Sequence, residues 1–247
     1  MYSPMLWVGM ALSACQILLP PVEGGDLTVW RRVLVEPSWF KESVTQISKN
    51  LSLISCGVAC MKNDWCRLWR HDVARECLLT SLFVSASYQP SQTDGALICF
   101  TNRKPEYTTR AAITSSVHYH ANIKQRSNLV DGIYSNDIYD ASLVSSESGA
   151  FAWFLLDFGN TVPISEVILV AQPNTNSYYY FRDIEVKVGN TQASGNFASY
   201  SMLGSFTGPG EPEQIVVLRP ATPLLGRYVS LQRTTNDLLQ IAHLEVR

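Results

Sequence analysis

The sequence predicts a mainly β chain in two modules: a small disulfide-stapled α+β module, then a larger all-β sandwich or barrel. Three observations carry this. Five of the six cysteines lie between residues 56 and 99, and four of them, Cys56, Cys60, Cys66 and Cys77, are spaced C-x3-C-x5-C-x10-C. Beyond residue 112 there is none, and short runs rich in β-branched residues recur there between Gly, Asn and Pro turn signals. Between the halves, Thr101 to Arg110 is polar, contains Pro105 and reads as a linker. Staples suit a module too small to bury a sufficient core; the longer segment can build its own.

The chain opens with an apolar run from Met5 to Leu19, broken by Pro20 and Pro21. A bilayer span takes roughly 20 apolar residues, so residues 1–24 read as a secretory signal peptide, with cleavage near Cys15 or Gly24. Leu12-Ser13-Ala14-Cys15 also resembles a bacterial lipoprotein box. No later run is long and apolar enough to span, so the mature chain is expected to be secreted and soluble. The net charge is −2 and the nearest basic run is Arg103-Lys104, which excludes the electrostatic footprint of nucleic-acid binding. Asn50-Leu51-Ser52 is a glycosylation sequon and marks an expected exposed turn.

In the front module Ser52 precedes a helical pattern, Leu53, Ile54, Cys56, Val58, Ala59, Cys60 and Met61, and its hydroxyl can accept an orphan helix N–H. Cys56 and Cys60 are four apart and share a helix face. Cys77 stands in an expected strand with Leu78 and Leu79, Cys99 in another from Ala96 to Phe100. A metal site would want C-x2-C pairs and histidines, and His71 is the only histidine here. In a secreted chain, disulfides are the preferred reading. The module resembles a PAN/apple domain, a twisted antiparallel sheet crossed by one helix. That resemblance implies the pairs Cys56–Cys77 and Cys60–Cys66. It also places a bridge between first and last strands, but Leu27 to Trp39 holds no cysteine. Cys99 is therefore read as free and buried, the alternatives being a covalent dimer or a bond to Cys15. Trp39, Trp65 and Trp69 are contact residues or core.

In the back module the expected strands are Ala152 to Phe158 before Gly159-Asn160, Ser165 to Val170, Asp183 to Val188, Gln214 to Leu218, Arg227 to Leu231 and Ile241 to Val246. No amphipathic helix is evident. Asn128-Leu129-Val130-Asp131-Gly132, Trp153 to Gly159, Phe181 to Asn190, Gly226 to Leu231 and Ala242 to Val246 together resemble the discoidin (coagulation-factor C-type) jelly roll of the galactose-binding-like class, with Phe181 to Asn190 similar to the fucose-binding F-type lectin branch. The organisation is thus 1–24 signal peptide, 26–102 apple-like module, 103–111 linker and 112–247 jelly roll.

The resemblance implies a ligand site at one loop end. The lectin branch uses a histidine and two arginines, which fall near Val144 to Ser146, Gln172 and Tyr180, where this chain has neither residue type, so fucose recognition does not carry over. It also implies a structural calcium ion, with Asp131 and Glu245 as the matching carboxylates, although the glutamate position aligns with His243. The loop still offers Gln172, Asn174, Asn176, Tyr178, Tyr179, Tyr180 and Arg182. Tyrosines stack on sugar faces, and amides donate and accept as sugar hydroxyls require; the alternative is that the tyrosines fill the barrel end. His118-Tyr119-His120 could pair imidazoles, with no third ligand in view.

The expected function is a secreted, non-enzymatic recognition protein binding glycans or glycoproteins, two linked modules gaining avidity. The alternative is an adhesion or matrix module for a protein partner. Ser, His and Asp fall in no catalytic motif. Phe197 and Phe206 lack the flanking basic residues that anionic membranes favour.

Overall fold

The computed structural model describes residues 16–19, 28–116, 125–134, 144–146, 151–173 and 178–247. The front module comprises β1 (Gln16–Leu19), β2 (Thr28–Val35), α1 (Pro37–Ser43), β3 (Val44–Lys49), α2 (Leu53–Met61), β4 (Leu68–His71), β5 (Glu76–Thr80), β6 (Phe83–Val84) and β7 (Leu97–Thr101). Six of these strands form one antiparallel sheet in the order β1-β2-β7-β4-β5-β3. Strand β1 lies inside the expected signal peptide and pairs Gln16 with Arg31 through Leu19 with Thr28. Cleavage at residue 24 would remove it and leave β2 at the sheet edge.

Helix α2 starts as its sequence predicts: the Ser55 amide donates to the Ser52 hydroxyl at 3.1 Å. Its buried face carries Cys56 and Cys60 against β4 and β5. Cys56 is bonded to Cys77 and Cys60 to Cys66, the pairing that the apple resemblance implies. Beneath the helix, Trp69 stacks on Phe100 at 4.4 Å and meets the edge of Trp30 at 5.8 Å. Of the three tryptophans weighed for contact, Trp69 is therefore core, while Trp39 and Trp65 are partly buried. Cys99 is free and fully buried, and burial pushes its thiol up to about 12. A thiol so placed reaches no second chain unless the module opens. Asn50 is exposed at a bend with φ 60°, a left-handed conformation asparagine tolerates.

The back module comprises β8 (Ala112–Ser115), β9 (Ile133–Tyr134), β10 (Val144–Ser146), β11 (Trp153–Ile164), β12 (Val167–Val170), β13 (Ile184–Gly189), β14 (Ser201–Phe206), β15 (Ile215–Leu218), β16 (Leu224–Arg233), β17 (Leu239–Ile241) and β18 (His243–Val246). A five-stranded sheet, β14-β13-β16-β11-β8, faces a three-stranded sheet, β15-β12-β18. Phe154, Leu156, Val186, Val229 and Leu231 from the first share one core with Leu169, Leu244 and Val246 from the second. Alternation places them: in β13, Ile184, Val186 and Val188 are buried and the residues between are not. Among the described residues this half has only 3-10 turns for helix.

One expected strand end is not an end. The chain runs through Gly159-Asn160 as a single β11, with a register irregularity between Asp157 and Val162. Gly159 takes φ +75°, its amide donates to Asp157 Oδ1 at 2.8 Å, and Arg227 on the paired strand grips both Asp157 oxygens at 2.6 and 2.8 Å. The turn signal marks a bulge that a cross-strand arginine clamps.

The expected linker is packed: Glu106 and Thr108 are buried, the Glu106 amide donates to Ser87 Oγ at 3.0 Å and the Tyr107 amide to Val246 O at 2.8 Å, and the modules also meet directly. Strand β6 of the front pairs with β9 of the back, and Ser85 donates its amide to Gly132 at 2.7 Å. Phe83 joins Tyr134, Val170 and Ala242 in one apolar cluster. This contact explains why all four residues of β12 and all four of β18 are buried. Leu169 and Leu244 face the sandwich core, while Val170 and His243 face the front module.

Candidate functional site

Two regions gather the predicted site residues, and they differ in chemistry. The first is the loop end between β12 and β13. Gln172 follows Val170, which pairs with His243, and Gln240 precedes His243, so both run off the same end of that antiparallel pair. Both are buried, and Gln172 Nε2 and Gln240 Oε1 have no hydrogen-bond partner among the described residues. Asn174 and Asn176 lie outside the described residues, as do His118 and His120. Tyr178 to Tyr180 form a 3-10 turn. Tyr179 is 45% exposed, its hydroxyl donates to that of Tyr180 at 3.0 Å, and the two ring centroids are 4.2 Å apart.

A polar frame holds this turn. Arg233, buried at the end of β16, donates from Nη1 to Tyr180 O at 3.4 Å, from Nε to Thr235 Oγ1 at 2.9 Å, and pairs with Asp237 at 3.4 Å. Arg182 donates to Asp183 Oδ2 at 2.9 Å, and Thr235 donates to the same oxygen at 3.2 Å. Arg182 is thus tied to its neighbour, with part of its side chain still exposed. Arg233, Thr235 and Asp237 were missed from the sequence. The Tyr-Tyr-Tyr run was legible, but the partners come from a loop more than fifty residues on. Together the loop offers flat aromatic rings beside fixed donors and acceptors, the combination that takes a polar molecule with an apolar face.

The second region holds the expected calcium carboxylates, and it is the module junction. Glu245 is fully buried. Its carboxylate accepts from Arg103 at 3.0 Å and from Arg247, and His243 Nε2 lies 3.8 Å away. Burial pushes this carboxyl up, and the His243 ring and the two guanidiniums more than offset that, holding it at about 2. Asp131 Oδ1 accepts the Ile133 amide at 3.0 Å, fixing the turn whose Gly132 docks on Ser85. A carboxylate already neutralised by two guanidiniums does not fit a calcium site, which needs its oxygens for the ion. Among the described residues no cluster of three or more His, Cys, Asp or Glu could hold a metal.

Also at the junction, Glu106 accepts from Ser85 at 3.3 Å and from the Thr108 and Thr109 amides. Burial pushes its carboxyl up to about 7, the Glu245 charge adds to this, and those hydrogen bonds work against it. No helix among the described residues is long and apolar enough to cross a membrane.

No known family model matches the sequence, and no curated protein matches it either. Solved structures do match. The chain is similar to a fucolectin from striped bass (Morone saxatilis) serum, with a TM-score of 0.52 and 18% identity over 57% of this chain and 48% of that one. It thus spans about half the length of the fish lectin. It is also similar to the lectin domain of lectinolysin solved with Lewis B antigen, at 20% identity, 57% and 96% coverage and a TM-score of 0.46. A family 32 carbohydrate-binding module from C. perfringens NanJ, solved with galactose, is similar at 12% identity, 57% and 95% coverage and a TM-score of 0.44. The likeness to the fish lectin shows that this chain contains a jelly roll of that fold.

Proposed function

We propose that the chain is a secreted, non-enzymatic recognition protein that binds glycans through the tyrosine loop of its jelly roll, with an apple-type module in front. The observation that carries this is Tyr179, exposed at the loop end and bonded to the half-buried Tyr180, on a turn held by buried Arg233. Rigid rings that already share a hydroxyl–hydroxyl bond lose little freedom on binding, and they stack on the C–H face of a sugar. Gln172, at the start of that loop, and Gln240 each hold a buried polar atom without a partner among the described residues. The neighbours' ligands, Lewis B antigen and galactose, belong to the same chemical class. Two disulfides on one helix against an antiparallel sheet support the apple reading and an oxidising compartment.

A glycan array with the purified protein tests this. The wild type binds a neutral saccharide, Tyr179→Ala abolishes that signal without changing the unfolding temperature, and a chelator leaves it intact, since Glu245 is committed to arginines. A blank array would instead favour the adhesion reading, which exposed Ile47, Ile54 and Val73 on the front module support.

A further inference from the structure

A cleft of about 660 Å³ opens at the junction, beside the start of β12, whereas the tyrosine loop follows the end of that strand. Its walls come from both modules. Arg31 on β2 and Lys104 after β7 contribute from the front and the connecting segment; Glu166, Arg219 and Arg247 contribute from the back. Four cationic side chains therefore line it, on a chain whose net charge is −2. The carboxylates do not balance them. Glu166 is shared by Arg219 and by Arg247, the latter at 2.7 Å, and Arg247 also pairs with Glu245, which Arg103 shares. Glu106 turns its oxygens to Ser85, Thr108 and Thr109. Arg31 and Lys104 make no ion pair with any described residue. The Nε of Arg247, itself buried, has no acceptor among the described residues.

Unbalanced cations around a cleft of small-ligand volume, with guanidinium donors unfilled, recognise oxyanions, because the planar fork matches two oxygens at once. We propose that this cleft is a second binding site, taking the sulfate or carboxylate group of an acidic glycan. That the anion is carried on a sugar rests on the glycan-binding reading; the preference for an oxyanion rests on the cleft alone. A ligand reaching both sites would engage two surfaces of one chain.

Calorimetric titration with a heparin-derived sulfated hexasaccharide, its desulfated but carboxylated counterpart, and inorganic sulfate tests the site. The wild type binds at least one of the two oligosaccharides. An Arg31→Ser, Lys104→Ser double variant binds it about tenfold more weakly or worse, with an unchanged unfolding temperature because neither side chain is paired. Tyr179→Ala binds it as the wild type does. The two oligosaccharides separate sulfate from carboxylate recognition, and inorganic sulfate alone shows whether the sugar is needed. No binding of either oligosaccharide, undiminished binding by the double variant, or loss with Tyr179→Ala each overturns the proposal. A blank neutral-glycan array with retained acidic binding would sink the tyrosine-loop reading and leave this one standing.

Discussion

Glu106 and Glu245 are buried carboxylates of the same junction whose affinities for protons are driven in opposite directions. Glu245 meets arginines and a histidine; Glu106 meets neutral donors and the charge of Glu245. Each sets its own pH window. Glu106, raised from the ordinary 4.5 to about 7, favours folding when protonated. Its contribution is complete below 4.5 and is lost as pH rises to about 7, a loss on the order of 3 kcal/mol. Glu245, held at about 2, contributes above 4.5 and loses that contribution as pH falls toward 2. Thermal unfolding across pH 5 to 7.5 should therefore show stability falling with rising pH, and Glu106→Gln should flatten that slope. An equal slope in the variant would assign the effect to other groups. Neither environment is visible in the sequence, where Glu106 stands in a polar stretch and Glu245 alternates with apolar residues at the chain end. Tyr179 is the contrary case: three consecutive tyrosines between two strands read as either a loop surface or barrel-end core, and Tyr179 stands 45% exposed.

Elements were legible to the degree that their signals are local. The α2 cap, the β13 alternation and the existence of β5, β7 and β15 follow from neighbouring residues, and the structure has them, with β7 and β15 starting one residue later than expected. Strands β8, β9, β10 and β14 were not anticipated, because the first three are short and β14 (Ser201–Phe206) is half polar. The two disulfides differ in what they close. Cys56–Cys77 spans 21 residues and Cys60–Cys66 spans 6. Loop-closure entropy then assigns about 3 kcal/mol to the first and about 2 kcal/mol to the second. Replacing Cys56 and Cys77 by serine should lower the denaturation midpoint more than replacing Cys60 and Cys66, in chemical unfolding under non-reducing conditions. The reverse order would mean that strain or residual unfolded-state structure, not loop length, sets their worth.

The two modules are welded into one molecule. Phe83 sits in a cluster of the jelly roll, Ile133 sits in the core of the front module, and Arg103 lies over the Phe83 ring at 4.0 Å while pairing with Glu245. Calorimetry of the wild type should show one cooperative transition. Arg103→Ala leaves the buried Glu245 to Arg247 and His243, which costs less than the ~3–5 kcal/mol of a wholly unpaired buried charge, but it removes the tie across the junction and should split the transition in two. Two transitions already present in the wild type would mean the junction is too weak to couple the modules. The sequence by itself determined the class of each half, the disulfide-bearing helix, the sandwich strands and the tyrosine loop, since cysteine spacing, alternation and turn residues act over a few neighbours. Only the tertiary structure decided that the linker is a packed joint, that Glu245 pairs with Arg103 and Arg247, and that Arg31, Lys104, Arg219 and Arg247 share a cleft. Those facts depend on residues as far apart as Arg31 and Arg247 being brought together, and no local pattern encodes which surfaces will meet.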